Sequence, residues 1–246
     1  MTTEKLNAEF DEILKEIVGR FFRKMGFRRK AQNFLRVTDD ITQTFNVQKS
    51  QTNISFDRFY FTFNFGFFNN DIYNITWDND TQIEFPGVAE SFIQSQLGNY
   101  SHKRDHWYEL SPRIDMKRVS LDIKADLEND LKPLFSRYKS LEDLKVFVEK
   151  DERHKLLISP YAYIAFLMKT NQREKGALAI QEHYLKALSF KGLVQNIQYP
   201  YNPDETKSFL PDSKQQYIDN ILRLAKLYDV KIEEKKPLVR KKTFLD

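Results

Sequence analysis

Several residue groups in this 246-residue chain could do chemistry, and each has a specific test. His102 and His106 lie four apart with Asp105 between them. On a helix that spacing would put both imidazoles on one face, where they could fill two positions around a metal. The surrounding stretch, Ser-His-Lys-Arg-Asp-His, is cation-rich and loop-like, and the sequence fixes no third ligand. A hydrolase or metal-dependent enzyme built on His102 and His106 is therefore the weakest of three readings. Ser50 would need a histidine base held nearby to act as a nucleophile. None is adjacent, and no glycine-rich nucleophile turn surrounds it. With seven glycines in the whole chain there is no phosphate-cradling loop and no dinucleotide fingerprint. Cysteine is absent, which excludes disulfides, thiolate catalysis and cysteine-ligated zinc. No cofactor is called for.

Binding chemistry is better represented. Gln48-Lys49-Ser50 places an amide, an amine and a hydroxyl beside a phenylalanine-rich stretch. Lys49 shares the parity of Val47, so its ammonium could snorkel from the end of a core face. Gln48 and Ser50 could satisfy strand backbone or meet a partner. Residues 20–38 hold Arg20, Arg23, Lys24, Arg28, Arg29, Lys30 and Arg36 with no acidic side chain. The net charge of +4 is therefore unevenly distributed: this segment and the tail 231–246 are basic, and the remainder is acidic. Such a patch is either a solvated rim or an attractor for phosphate or an acidic partner. Trp107-Tyr108 could close the end of a core or anchor an interface, since both residue types carry polar tips.

The elements that must position these residues follow from periodicity. Leu6, Phe10, Ile13, Leu14, Ile17, Val18, Phe21, Phe22 and Met25 recur at three- and four-residue steps, which predicts an amphipathic helix. Gly26 stops it, and Arg20, Arg23 and Lys24 suit the negative end of its dipole. Strands are expected at 27–30, 33–38, 41–50 and 59–68. In the last, Phe59, Phe61, Phe63, Phe65 and Phe67 share one parity, and Tyr60, Thr62, Asn64 and Gly66 share the other. The phenylalanine stripe is a core face beneath the first helix. The opposite parity gives a polar face of Thr44, Asn46, Gln48, Ser50, Thr62 and Asn64. Residues 72–77 and 82–85 are expected to pair as a hairpin across Asp78-Asn79-Asp80, and 92–97 to form a further strand. A helical pattern runs over 119–138, with a kink at Pro133 or a division into two short helices there. From Ser140 only helices are expected, the first opened by a near capping box at Ser140 to Asp143. Helices at 161–169 and 174–190 should pair antiparallel, 199–211 should be an ordered loop, and a last helix should begin at Asp212 or Ser213.

The order of Gly26-Phe27, Gln48-Lys49-Ser50, Phe61-Thr62-Phe63-Asn64-Phe65-Gly66, Gln96-Leu97-Gly98 and Asp105-His106-Trp107-Tyr108 resembles a bacterial domain of unknown function, family 4304, over about residues 5–150. The resemblance implies an α+β domain and no established reaction. Gln96 stands where that pattern is expected to carry arginine.

The expectation is an α+β fold: an antiparallel sheet packed against an N-terminal amphipathic helix, then an all-helical C-terminal region. The expected divisions are an α+β domain at 1–139, a helical region at 140–230 and a basic mobile tail at 231–246. The start lacks the pattern of a secretory signal and no apolar run spans a bilayer, so a cytoplasmic location with no membrane association is expected. The expected function is non-enzymatic binding of a protein partner, toxin- or defence-related by analogy with small bacterial proteins of this kind. The contact residues would be Arg28, Arg29, Lys30, Arg36, Gln48, Lys49, Ser50, Asn64 and Trp107. Nucleic acid bound by the basic patch at 20–36 is the alternative.

Overall fold

A computed structural model describes residues 3–51, 53, 58–101, 106–149, 156–189, 196–198, 206–208 and 213–233. The first helix runs through three consecutive segments: α1 (Thr3–Glu12), a π-helical stretch (Ile13–Gly19) and α2 (Arg20–Lys24). Its buried stripe includes Phe10, Leu14, Val18 and Phe22. Steps of four overshoot a 3.6-residue turn by about 40° each. The wider π turns absorb that excess, so the stripe stays on one line. Gly26, at φ +83°, ends the helix. The N–H of Phe27 then returns to the carbonyl of Phe22 at 2.9 Å, delivering the chain directly into the sheet.

Six strands form one antiparallel sheet: β1 (Arg28–Lys30), β2 (Asn33–Val37), β3 (Thr42–Lys49), β4 (Phe59–Phe68), β5 (Ile93–Gln96) and β6 (Tyr108–Leu110). The first four run as a meander. β5 and β6 share the far edge of β4, with β5 opposite Asn64 to Phe67 and β6 opposite Phe59 to Phe61. The predicted phenylalanine stripe of β4 is fully inside, and each such ring contributes about 1.5–3 kcal/mol on burial. Phe22 of the first helix packs on Phe45 with ring centroids 4.3 Å apart, and Phe10 packs on Phe59 at 5.0 Å.

The same face is covered by α5 (Met116–Asp126), a second π-helical stretch (Leu127–Leu131) and α6 (Lys132–Arg137). Pro133 follows the π-helical stretch within one continuous helical run, where Lys132 N–H bonds back to Leu127 O, so the irregularity beside the proline is a widened turn. Ser140 and Asp143 form the expected cap reciprocally. Asp143 N donates to Ser140 Oγ, and Asp143 Oδ2 accepts from the N–H groups of Ser140 and Lys139. The helix they open, α7 (Leu141–Glu149), buries Leu141, Leu144, Phe147 and Val148 in the same core. The first compact unit therefore runs past residue 139 to Phe166.

The hairpin expected across 78–80 is absent. Asn70–Trp77 is a helix, α3, and the short α4 (Leu97–Tyr100) follows β5. Asn69 decides this locally: its side chain accepts from Ile72 N at 3.0 Å, and Asp78 closes the helix in the left-handed region. Residues 82–85 form no strand. Asn70 holds that segment instead, donating to Thr81 O and accepting from Ile83 N.

The second compact unit is Leu167–Asp246. The division falls within α8 (Pro160–Lys169). Beyond it, α9 (Arg173–Ser189) and α10 (Ser213–Leu227) pack together, joined by His183 Nδ1 to Tyr217 Oη at 2.8 Å. A two-stranded antiparallel ladder, β7 (Asn196–Gln198) and β8 (Thr206–Ser208), lies between them in sequence, an addition to the helices and loop expected there. The basic tail expected at 231–246 lies outside the described residues from 234 onward. Among the described residues no helix is long and apolar enough to cross a membrane.

Candidate functional site

The face of the sheet turned away from the helices carries a cleft of about 1250 Å³. Strand register builds its floor. Lys30 lies opposite Asn33, Asn33 opposite Asn46, Asn46 opposite Asn64, and Asn64 opposite Gln96. Directly opposed residues of antiparallel strands share a face. One row of hydrogen-bonding side chains therefore crosses five strands, four of its members carboxamides. Gln48, Gln94 and Asn99 bring further amides to the lining. Asn46 Nδ2 donates to Asn33 Oδ1 at 2.8 Å, Asn64 Nδ2 to Gln48 Oε1 at 2.8 Å, and Gln96 Nε2 to Thr62 Oγ1 at 2.9 Å.

One wall of the cleft descends from residues 85–90 and is seated by Gly66. A Cβ added there would lie 2.6 Å from Ser91 Cβ and 2.9 Å from the Ile93 carbonyl. The bare glycine lets Ser91 reach the sheet, where its hydroxyl meets Thr44 Oγ1 at 2.8 Å. The wall is locked from within, because Ser91 Oγ donates to Gly87 O, and Gln94 Nε2 donates to the Ala89 and Ser91 carbonyls. On another side, Gln94 and Leu157 exchange backbone hydrogen bonds at 3.0 and 2.7 Å, fixing Leu156 and Leu157 at the cleft. The charged lining residues are Lys30 and Glu90. Lys30 Nζ stands 6.0 Å from the Phe85 ring centre, and Glu90 Oε2 accepts from Gly87 N at 2.8 Å. The site is thus nearly neutral and rich in groups that both donate and accept.

The polar face expected from parity is narrower than the sequence implies. Thr44 and Thr62 are buried, Thr44 beneath Ser91 and Thr62 beneath the segment at His106, whose carbonyl accepts from Thr62 Oγ1. Asn46, Gln48 and Asn64 remain on the cleft. The expected contact residues separate into three groups. Gln48, Asn64 and Lys30 come together in the cleft. Arg28 lies exposed on the edge strand beside it. The others are elsewhere. Arg29 bonds Ala31 O and reaches Leu14 O, on the phenylalanine side of β1. Lys49 also lies on that side, its ammonium 4.4 Å from the Phe10 ring centre and 5.2 Å from that of Phe59. Ser50 N donates to Tyr60 O at the end of the β3–β4 pair. Trp107 is half-buried and outside the cleft lining.

Arg36 is a structural residue. Its guanidinium donates to Gln43 Oε1, Met25 O and Phe135 O at 2.7–2.8 Å and lies over the Phe27 ring. Burial pulls its pKa down, and these acceptors hold the cation in place. His106 packs edge-on against Tyr108, ring centres 4.7 Å apart. His102 and Asp105 lie outside the described residues. Among the described residues no three metal-binding side chains cluster. Sequence reasoning missed Asn33, Gln94, Asn99 and Glu90 as cleft residues; only the register of β1 to β5 and the path of residues 85–99 reveal them.

No curated protein and no solved structure matches this chain. The model of the domain of unknown function DUF4304 matches residues 18–137. That stretch contains the end of the first helix, all six strands of the sheet and the helices to α6. It therefore carries the whole cleft floor, and it is over residues 18–137 that this chain is similar to the DUF4304 family.

Proposed function

We propose that this protein is a binding module whose amide-floored cleft takes an extended segment of a protein partner. The observation that supports this reading is the row Asn33–Asn46–Asn64–Gln96 across four strands. A polypeptide in extended form presents alternating N–H and C=O groups. Carboxamides offer both complements. In the free protein these amides bond one another, which keeps them satisfied until a ligand exchanges with them. With only Lys30 and Glu90 charged along the lining, a neutral backbone enters without stranding an ion. Arg28 and Lys30 on the edge strand are exposed, as are Arg23 and Lys24 at the end of the first helix, and such cations suit the steering of an acidic partner. Binding rather than turnover is the role, in the cell interior.

The test is capture from the native host with the tagged full chain, followed by binding of the purified partner. Asn46→Ala with Asn64→Ala should abolish binding, and Arg28→Glu with Lys30→Glu should slow association. Partner binding that survives the double alanine substitution refutes the cleft. The exposed Arg23, Lys24, Arg28 and Lys30 also favour a second reading, nucleic acid. Tight binding of random DNA or RNA with a steep salt dependence would replace the first reading with the second.

A further inference from the structure

A second recess, of about 340 Å³, adjoins the cleft and shares Ala89, Glu90, Gln94 and Leu157 with it. Its far wall is the face of α3 bearing Tyr73 and Trp77, four residues apart and with ring centres 6.3 Å apart. Its near wall is Leu157 and Ile158. Leu157 and Trp77 are 72% and 65% exposed, the highest values among the described large apolar residues, and both open onto this one space. Both sit on fixed backbone. Leu157 is pinned by its reciprocal pair with Gln94, and Trp77 ends a helix closed at both termini by Asn69 and Asp78. The recess carries one carboxylate, Glu90, and no cation among its lining residues, so it suits neither a phosphate nor an acidic side chain.

We propose that this recess is the specificity subsite of the cleft. It takes one large apolar side chain, aromatic or long aliphatic, from the extended segment whose backbone lies on the amide floor. The inference rests on the cleft reading above and adds the chemistry of the partner. Continuity supports it: Ala89, Glu90, Gln94 and Leu157 line both spaces, so a strand on the floor that passes these residues can direct one side chain into the recess. Exposed aromatic and aliphatic surface beside a hydrogen-bonding floor is the arrangement in which a single anchor residue dominates affinity.

The test selects ligands for the full chain from a displayed library of random peptides roughly a dozen residues long. Enriched peptides should share Phe, Trp, Leu or Met at one position. In a Trp107→Phe background, the synthesised peptide should shift the emission of Trp77 to shorter wavelength. Trp77→Ala and Leu157→Ser should each weaken binding by about tenfold, while replacing the peptide's anchor by Ala should cost about tenfold on the wild type and little on Trp77→Ala. Equal binding to wild type, Trp77→Ala and Leu157→Ser, with loss on Asn64→Ala, overturns the subsite and leaves the cleft standing. No enrichment, or binding indifferent to Asn64→Ala, overturns both. Because Trp77 and Leu157 are exposed, unchanged urea midpoints should accompany the losses.

Discussion

Asn46 and Asn64 face each other across β3 and β4, yet each donates its amide hydrogen in a different direction. Asn46 bonds Asn33 on one side, and Asn64 bonds Gln48 along the diagonal. The opposed pair therefore divides its bonds between neighbours on β2 and β3. That arrangement supports the sheet weakly and presents a floor of exchangeable bonds.

Removing the pair should separate stability from binding. A net intramolecular hydrogen bond contributes about 0.5–1.5 kcal/mol, and both residues border open space. Asn46→Ala and Asn64→Ala are each expected to cost about 1 kcal/mol or less in urea unfolding. Partner binding should be lost.

Gly66→Ala should impair both stability and binding. Its methyl would lie 2.6 Å from Ser91 Cβ, so the wall at 87–91 must shift or the strand must strain. A loss of about 1–3 kcal/mol is expected by urea unfolding, together with weaker partner binding. Adding Ser91→Gly should recover only part of the loss, because the 2.9 Å approach to the Ile93 carbonyl remains.

The basic residues of 20–36 should divide sharply. Arg36→Met removes three donor contacts, leaving the Met25 and Phe135 carbonyls without this donor, and is expected to cost about 2–4 kcal/mol. Arg28→Glu and Lys30→Glu lie on the exposed edge and should change stability by less than about 0.5 kcal/mol. Thermal unfolding of the three variants checks this directly.

Alkaline pH should unfold the domain through Tyr108. Its hydroxyl donates to Asp126 Oδ2 in the core, and burial, reinforced by that carboxylate, raises its pKa well above the ordinary 10.0. The folded state thus favours the neutral phenol. This contribution is complete below pH 10.0 and is lost above it, as the unfolded tyrosine ionises, with a slope of up to about 1.4 kcal/mol per pH unit. Tyr108→Phe should flatten the alkaline slope of the urea midpoint relative to wild type. Tyr228, pushed up to about 12, contributes in the same direction and remains in both proteins.

At the acid end the corresponding group is Asp143. Its bond from Lys139 N, the leading cause, and the contacts with Ser140 hold its pKa below the usual 3.8. Its contribution is present above that value and is lost as pH falls through the lower folded pKa. Asp143→Asn weakens the cap, with an expected cost of about 1 kcal/mol at neutral pH and a smaller one in acid, read by urea unfolding at both.

Short-range signals in the sequence determined the frame of the molecule. The every-other-residue phenylalanines of β4, the left-handed glycine after Met25 and the reciprocal Ser140–Asp143 cap each depend on neighbours within a few residues, so pattern alone fixed them. Residues 70–77 misled because Ile, Thr, Tyr and Trp favour strands, while one amide, Asn69, tips the segment to helix. Tertiary structure decided the rest. Arg36 finds its acceptor at Phe135, 99 residues away, and so belongs to the interior despite its basic neighbours. The amide row exists only because register aligns residues 33, 46, 64 and 96, and the cleft only because Ser91 descends onto Gly66. Parity is a property of one strand. A site shared by five strands and two loops is a property of their mutual placement, which no local pattern encodes.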